Sequence, residues 1–261
     1  MTTSGGDNAS QHVKSNDQKA RRDMSQARRK RAQLVRVPAA VRADSEGSTR
    51  QLSEIAYGAI LQGLFERKIP CGAFLTQNDL VKLLGVPIQP LRDALRVLES
   101  EGVVFIQPRS GIQFLKPDME LARSTYQFRS IIEREAVRHF AETSPLDLME
   151  SLMLEHATLL RSINSDGLDA KRSGHLEGLD QRLHAAFIAS LSNPLIETTA
   201  ARLKNYVTLI RMDRLRTAPL AIRTLREHIE ILDACRRRDA DSAEAALANH
   251  FNAALYRVLG L

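Results

Sequence analysis

Hydrophobic residues recur every three or four positions along most of the chain, which is the spacing of amphipathic helices. In the first third of the globular part this spacing predicts a helix over 49–68, a short helix over 76–84 and a third helix over 87–101. Thr76 precedes the second helix and has the hydroxyl of an N-cap. Gly85 and Gly102 follow the second and third helices, where a left-handed residue commonly ends a helix.

Two short β-prone runs come next, over 103–107 and 112–115. They flank the turn sequence Pro108-Arg109-Ser110-Gly111, so they predict a small β-hairpin. A helix, a helix, a turn, a helix and a hairpin within about 70 residues follow the order of a winged helix-turn-helix.

The rest of the chain has helical spacing without any strand pattern. It predicts helices over 118–141, 146–164, 176–191, 194–213, 218–237 and 240–259, with the longest loop over 165–174. Ser144-Pro145 and Asn193-Pro194 have the form of helix starts. The predicted fold class is therefore mainly α, with an N-terminal winged helix-turn-helix and a C-terminal bundle of six or seven helices. Its parts are a tail over 1–48, a winged domain over 49–117 and a helical domain over 118–261.

The composition restricts the class of protein. With 43% hydrophobic and 26% charged residues, it is typical of a soluble globular protein. No apolar run approaches the roughly 18 residues of a membrane span, and no secretory signal is recognisable. Cys71 and Cys235 lie far apart and form neither a disulfide framework nor a CxxC motif. We therefore expect a cytoplasmic protein without a membrane partner.

The net charge of +6 is concentrated in the first fifty residues, which hold 11 Lys or Arg against 5 Asp or Glu. Residues 51–117 hold 7 basic against 6 acidic residues, and residues 118–261 hold 19 basic against 20 acidic residues. The basic segment contains Arg28-Arg29-Lys30-Arg31 and few large apolar residues, which favours a flexible tail. Such a tail fits either a polyanion-binding arm or a solubilising extension.

The predicted recognition helix contains side chains suited to reading bases. In a helix-turn-helix the first residues of the second helix meet the base edges. Gln89 and Arg92 lie three apart and point to one side, where glutamine can pair with adenine and arginine with guanine. Arg92 and Arg96 are equally compatible with solvated charges on an ordinary surface helix.

The segment 79–104 resembles the recognition region of the GntR family of bacterial transcription regulators. The resemblance implies that Asn78, Gln89 and Arg92 occupy DNA-contacting positions, and that Gly111 sits at the tip of the wing. Arg96 and Arg109 complete the candidate set. The family usually has Ser-Arg-Thr where this chain has Pro87-Ile88-Gln89, so one base-reading arginine is absent, a loss of about 1–3 kcal/mol of discrimination. We therefore expect an altered operator. The residues that match the family pattern are Leu80, Leu84, Gly85, Val86, Pro90, Arg92, Ala94, Leu95, Leu98, Glu101, Gly102 and Val104.

Three histidines and one aspartate form a second pattern. Asp180 and His184 lie one turn apart on a helix. His228 and His250 each lie 11 residues from Asp239 in the predicted turn between the last two helices. In an antiparallel pair they come level, roughly 16 Å from the turn. Such ligands suit a divalent ion, zinc first, then nickel or manganese, with one or two positions open. Unrelated polar residues are the alternative.

The same residues resemble the FCD effector domain of the FadR-like branch of this family. Asp180, His184, Glu227-His228 and His250 follow its order and spacing, and the segment 129–133 resembles its opening. The resemblance implies a metal whose open positions bind a small organic acid, a carboxylate effector. Arg129 is the predicted effector-binding residue, and a salt bridge between Arg129 and Glu133 is its alternative.

Together these patterns predict a non-enzymatic transcription regulator that represses as a homodimer on double-stranded DNA. A metal-dependent hydrolase with an accessory nucleic-acid domain is the alternative, although the chain lacks an HExxH sequence and a second metal cluster. A third possibility is a regulator for which the metal itself is the signal. The remaining histidines of the helical domain are interpreted as surface or packing residues: His139, His156 and His175.

Overall fold

A computed structural model describes residues 45–212 and 217–260, with side chains from residue 51 onward. Within these ranges the chain forms nine α-helices and three short strands, which confirms the predicted mainly α class. The first 44 residues lie outside the described part, so the predicted basic tail stays a prediction. The elements are α1 Ser45–Phe65, β1 Phe74–Leu75, α2 Gln77–Leu84, α3 Ile88–Ser100, β2 Val104–Gln107, β3 Gly111–Phe114, α4 Met119–Thr143, α5 Leu146–Asp166, α6 Ala170–Ser190, α7 Pro194–Arg211, α8 Ala218–Arg236 and α9 Ala240–Leu259.

The helix-turn-helix begins and ends at the residues that the sequence indicates. Thr76 forms a capping box with Asp79, in which each side chain bonds the other residue's backbone N–H. Gly85 ends α2 in the left-handed conformation, with φ of 68°. The helix α3 then buries one apolar face against α1, while its polar face stays exposed.

The wing is a three-stranded antiparallel sheet in the order β1-β3-β2, rather than a simple hairpin. The predicted hairpin is present, with Val104 opposite Phe114 and Gln107 opposite Gly111. The additional strand β1 pairs Phe74 with Gln113. Sequence analysis missed β1 because two residues are too few to show an alternating pattern.

Six helices, α4 to α9, form the C-terminal bundle. The predicted loop over 165–174 is wrong, because α5 continues to Asp166 and α6 begins at Ala170. Asp169 caps α6 by accepting a hydrogen bond from the backbone N–H of Arg172, whose side chain pairs with Asp166 and Asp169. These interactions outweigh the helix-breaking tendency of Gly174. No close contact requires glycine at this position, because an added Cβ would meet no atom within 4 Å.

The bundle and the winged domain each have a hydrophobic core. Leu209 of α7 is buried in the core of the winged domain, although it belongs to the helical part of the chain. Cys235 is buried in the bundle, and burial raises the pKa of its thiol to about 12. In the described part, no helix is both long enough and apolar enough to cross a bilayer.

Candidate metal centre and DNA-binding surface

The four predicted metal ligands meet inside the bundle. Asp180 and His184 come from α6, His228 from α8 and His250 from α9, and all four are buried. One potential ligand atom from each lies within 4.8 Å of the others. Asp180 Oδ1 is 3.6 Å from His228 Nε2 and 3.9 Å from His184 Nε2. The antiparallel pairing of α8 and α9 brings the last two histidines level.

Each imidazole has a hydrogen-bond partner on its outer nitrogen, Nδ1. His184 Nδ1 donates to Glu133 at 2.5 Å, His250 Nδ1 donates to Glu227 at 2.8 Å, and His228 Nδ1 lies 3.3 Å from His156 Nε2. A carboxylate only accepts, so the first two rings have Nδ1 protonated, and their Nε2 atoms face inward.

The inner nitrogens are buried polar atoms without hydrogen bonds. Among the described residues, Nε2 of His184, His228 and His250 has no hydrogen-bond partner. A buried unsatisfied polar atom costs about 1–3 kcal/mol. Three of them around one carboxylate fit a divalent cation, whose coordination would satisfy them all.

The electrostatics favour metal-binding protonation states for Asp180, His228 and His250. Burial alone would raise the pKa of Asp180, but the guanidinium of Arg211 keeps it well below its usual value. Burial lowers the pKa of His228 well below the usual range, and it lowers that of His250 to about 4 despite the hydrogen bond to Glu227. A carboxylate ion beside neutral imidazoles is the form that coordinates a cation.

Two outer carboxylates are themselves paired with arginines. Glu227 accepts two hydrogen bonds from Arg257, at 2.7 and 2.8 Å. Glu133 pairs with Arg129 at 2.6 Å. Burial alone would raise the pKa of Glu133, but Arg129 and His184 lower it to about 2. This ion pair was the alternative to an effector role for Arg129, whose side chain also lines the adjoining cavity. The effector role stays a prediction.

Sequence analysis missed Arg211, at the end of α7. Its Nη1 donates to Asp180 Oδ2 at 2.9 Å, and its Nε donates to Tyr126 Oη at 3.0 Å. Since Arg211 uses Oδ2, the other oxygen of Asp180 is left to face the histidines. No spacing within α7 marks this residue, because both of its partners lie on other helices.

A cavity of about 540 Å³ adjoins the cluster. Asp180 and His184 form part of its wall. The other charged residues of the wall are the basic Arg129, Lys204, Arg211 and Arg257 and the acidic Glu133, Glu177 and Glu197. Much of the remaining wall is aliphatic. The apolar part includes Leu176, Ile188, Val207, Leu220 and Val258. The cavity therefore combines a polar region of mixed charge at the cluster with an apolar body.

The predicted DNA-contacting side chains lie on the exposed surface of the winged domain. Asn78 is on α2, Gln89, Arg92 and Arg96 are on α3, and Arg109 is in the turn between β2 and β3. Arg92 Nε donates to Oε1 of Gln77, a residue that sequence analysis did not single out, at 2.9 Å. This bond orients the arginine that is predicted to read a base.

Gly111 opens β3 and is packed tightly, with φ of 154°. A Cβ at this position would lie 2.8 Å from Phe74 Cε1 and 2.9 Å from the carbonyl oxygen of Leu75. The close approach of β1 therefore requires glycine here. The role of Gly111 at DNA stays a prediction.

The helix α7 connects the two parts of the molecule. On the winged-domain side, Tyr206 Oη donates to the carbonyl oxygen of Glu101, and Asn205 Nδ2 donates to Tyr57 Oη at 3.1 Å. Tyr57 in turn donates to Glu101 Oε2 at 2.8 Å. At its end, α7 supplies Arg211 to the buried cluster. One helix thus contacts the end of the recognition helix and the candidate metal centre.

A winged helix-turn-helix joined to an all-helical domain is the architecture of a transcriptional regulator. The family models agree: "Bacterial regulatory proteins, gntR family" matches residues 52–114, and the FCD domain matches residues 124–253. The chain belongs to the GntR family of transcriptional regulators and has a C-terminal FCD domain. The matched families and relatives are regulators, so the hydrolase alternative is set aside.

The chain is also similar to a curated relative and to solved structures. The HTH-type transcriptional repressor RspR of Escherichia coli is 23% identical over 206 residues, which cover 77% of this chain and 86% of the relative. A GntR structure from Rhodococcus sp. RHA1 has a TM-score of 0.64 at 20% identity, and covers 82% of this chain and 98% of its own. Escherichia coli McbR/YncC has a TM-score of 0.62 at 16% identity, with coverages of 80% and 96%. At these identities the structures show the shared fold.

Proposed function

We propose that this regulator is a cytoplasmic homodimeric repressor whose operator affinity is controlled by a small organic acid bound at a divalent metal ion. Zinc is the leading candidate for that ion. One observation carries the proposal: three buried imidazole nitrogens without hydrogen bonds surround the ionised Asp180 at the wall of a cavity of about 540 Å³. Nickel and manganese are the other candidate metals.

Asp180, His184, His228 and His250 would hold the ion. A bound divalent ion supplies Lewis-acidic coordination positions that attract a carboxylate. The chain provides the rest: the buried Glu133 and the partly buried Glu227 orient two of the imidazoles. Arg129 and Arg211, each paired with a carboxylate of the site, lie at the same wall. This arrangement favours an anionic effector.

The size and lining of the cavity favour an acid that has an apolar body. The polar part of the wall would contact the carboxylate end of the ligand, and the aliphatic side chains would contact the rest of it. Burial of apolar ligand surface there contributes about 25 cal/mol per Å². A small acid with an alkyl or aryl group uses both regions of the cavity, whereas a compact polyanion uses only one.

The exposed polar face of α3 and the wing would contact the operator. Homodimeric winged regulators read two half-sites about one helical turn apart. Two features support the homodimer. One winged domain has a single recognition helix, so two half-sites require two copies of the chain. In addition, Phe128 and Ile131, one turn apart on α4, expose 42% and 68% of their surfaces. Contact with a second copy would cover such side chains.

The contacts of α7 support coupling between the cavity and DNA. An effector that contacts Arg211 acts on the same helix whose Tyr206 bonds the end of the recognition helix. The effector shifts DNA affinity only by as much as it prefers one arrangement of the winged domains over the other. We therefore expect the acid to change operator affinity without contacting DNA.

The test is fluorescence anisotropy with labelled DNA from the region upstream of the regulator's own coding sequence, at moderate salt. Protein stripped by a chelator is compared with zinc-loaded protein, each with malonate, citrate, benzoate or octanoate. We expect an acid, most strongly one with an apolar body, to weaken DNA binding by the zinc-loaded protein only. The variant His228→Ala should bind DNA and ignore the acid.

Three results would contradict parts of this proposal. Absence of binding to any upstream fragment would contradict the operator role. An acid that acts equally on wild type and His228→Ala would contradict the metal-carboxylate site. If zinc alone changes DNA affinity and no acid adds to the change, the metal itself is the signal.

A further inference from the structure

His156 lies outside the four-residue cluster but contacts it directly. It comes from α5, a helix that supplies none of the candidate ligands, and its side chain is fully buried. The ring of His156 packs edge-on against that of His228, with centroids 5.3 Å apart. The two facing nitrogens, His228 Nδ1 and His156 Nε2, are 3.3 Å apart.

The hydrogen bonds of His156 determine which of its nitrogens carries the proton. Nδ1 lies 2.7 Å from the carbonyl oxygen of Leu152, one turn earlier on α5. A carbonyl oxygen only accepts hydrogen bonds, so Nδ1 must donate. A ring buried away from solvent favours the neutral form, in which Nε2 then has a lone pair and no proton.

The tautomer of His228 follows from that of His156. Because His156 Nε2 can only accept, His228 must donate from Nδ1, and its own Nε2 is left with a lone pair. That Nε2 faces Asp180 Oδ1 at 3.6 Å. The backbone of α5 thus fixes the proton of one imidazole, which fixes the proton of the next, and the second ring points its lone pair at the candidate metal position.

We propose that His156 is a positioning residue of the metal centre: it holds His228 in the Nε2-ligating tautomer through a hydrogen bond anchored on the Leu152 carbonyl. The proposal rests on the proposed metal site. His156 does for His228 what Glu133 and Glu227 do for the other two imidazoles, but as a neutral acceptor. It adds no negative charge to the centre.

The first test reads the tautomer without metal. Long-range ¹H–¹⁵N NMR spectra of chelator-treated full-length protein should show His228 protonated at Nδ1 and unprotonated at Nε2. In His156→Phe, which keeps an aromatic ring but has no acceptor, the Nε2-protonated form of His228 should become populated. In His156→Gln, whose side-chain oxygen can accept the same hydrogen bond, the wild-type tautomer should persist.

The second test measures zinc affinity by competition with a chromophoric chelator. Loss of an outer-sphere partner typically weakens metal binding about 10–100-fold, so we expect a loss of that size in His156→Phe. His156→Gln should stay within about threefold of wild type. The matched control is His139→Gln, since His139 is a half-buried histidine that bonds Ser190 and Thr143. It should bind zinc as wild type does.

The outcomes separate this inference from the proposed function. Wild-type protein that binds no zinc would overturn the metal site and, with it, the role of His156. Zinc-binding wild type in which His228 is protonated at Nε2 before metal is added would overturn the inference alone. So would a His156→Phe variant with wild-type affinity, or a His156→Gln variant as weak as His156→Phe. Circular dichroism spectra check that each variant is folded.

Discussion

Replacing Arg211 by methionine should make the metal-free protein less stable and the metal site tighter. The substitution keeps an apolar stem of similar reach but removes the guanidinium, which lies 2.9 Å from Asp180 Oδ2. Asp180 is only 8% exposed, so its carboxylate would be left in the bundle without its strongest cationic partner.

The magnitude follows from the burial of this pair. Removing one partner of a buried ion pair typically costs about 3–5 kcal/mol, because the other charge stays buried and uncompensated. The side chain of Arg211 is 24% exposed, so we expect the lower end, about 3 kcal/mol. A bound divalent cation would compensate Asp180 itself and would recover about half of that loss. The substitution would therefore destabilise the metal-free protein by about 1.4 kcal/mol more than the metal-bound protein. That difference corresponds to metal binding about tenfold tighter than in wild type.

The assay combines urea denaturation, with chelator and with zinc, and zinc competition titration of wild type and Arg211→Met. The matched control is Arg182→Met. Arg182 lies on the same helix as Asp180 and forms an exposed ion pair with Glu155, so its replacement should change the free energy of unfolding by less than about 1 kcal/mol. Weaker zinc binding by Arg211→Met than by wild type, or a metal-free variant as stable as metal-free wild type, would exclude this role of Arg211.

Three further predictions concern the winged domain and its connection to the bundle. Gly111→Ala should lower the free energy of unfolding by about 1–3 kcal/mol in urea denaturation, because its φ is strained for alanine and its Cβ would meet Phe74 and Leu75; unchanged stability would contradict the described packing. Arg92→Ala should weaken operator binding by about 1–3 kcal/mol in anisotropy titrations and relax base preference at one position, whereas an equal loss on random DNA would indicate a phosphate contact. Tyr206→Phe should leave operator affinity without effector unchanged but reduce the effect of the acid by about 0.5–1.5 kcal/mol; a full effector response would exclude this hydrogen bond from the coupling.

Much of the fold was predictable because local patterns and the final packing agree. The capping box at Thr76, the glycine at the end of α2 and the proline after Asn193 mark helix ends in the structure as they do in the sequence. The failures lie where tertiary contacts outweigh local preference. Asp169 caps a helix through a segment whose glycines indicate a loop, and β1 exists only because it pairs with β3.

The candidate site was predictable only where its members share a helix or a hairpin. Asp180 and His184 are one turn apart, and the symmetric spacing of His228 and His250 about Asp239 brings them level in an antiparallel pair. His156 reaches the cluster from a different helix, so it has no partner at helical spacing in the sequence. The same reason hid Arg211, since contacts between distant helices leave no local pattern.

Elemental analysis of purified wild type, His228→Ala and His250→Ala would show directly whether the buried cluster holds a metal ion. We expect about one equivalent of zinc, nickel or manganese per chain in wild type, and loss of that metal in both variants, because each removes one of the four ligands around the buried centre. A wild-type protein that folds and binds DNA but holds no metal, even after incubation with these ions, would contradict the metal-dependent effector site.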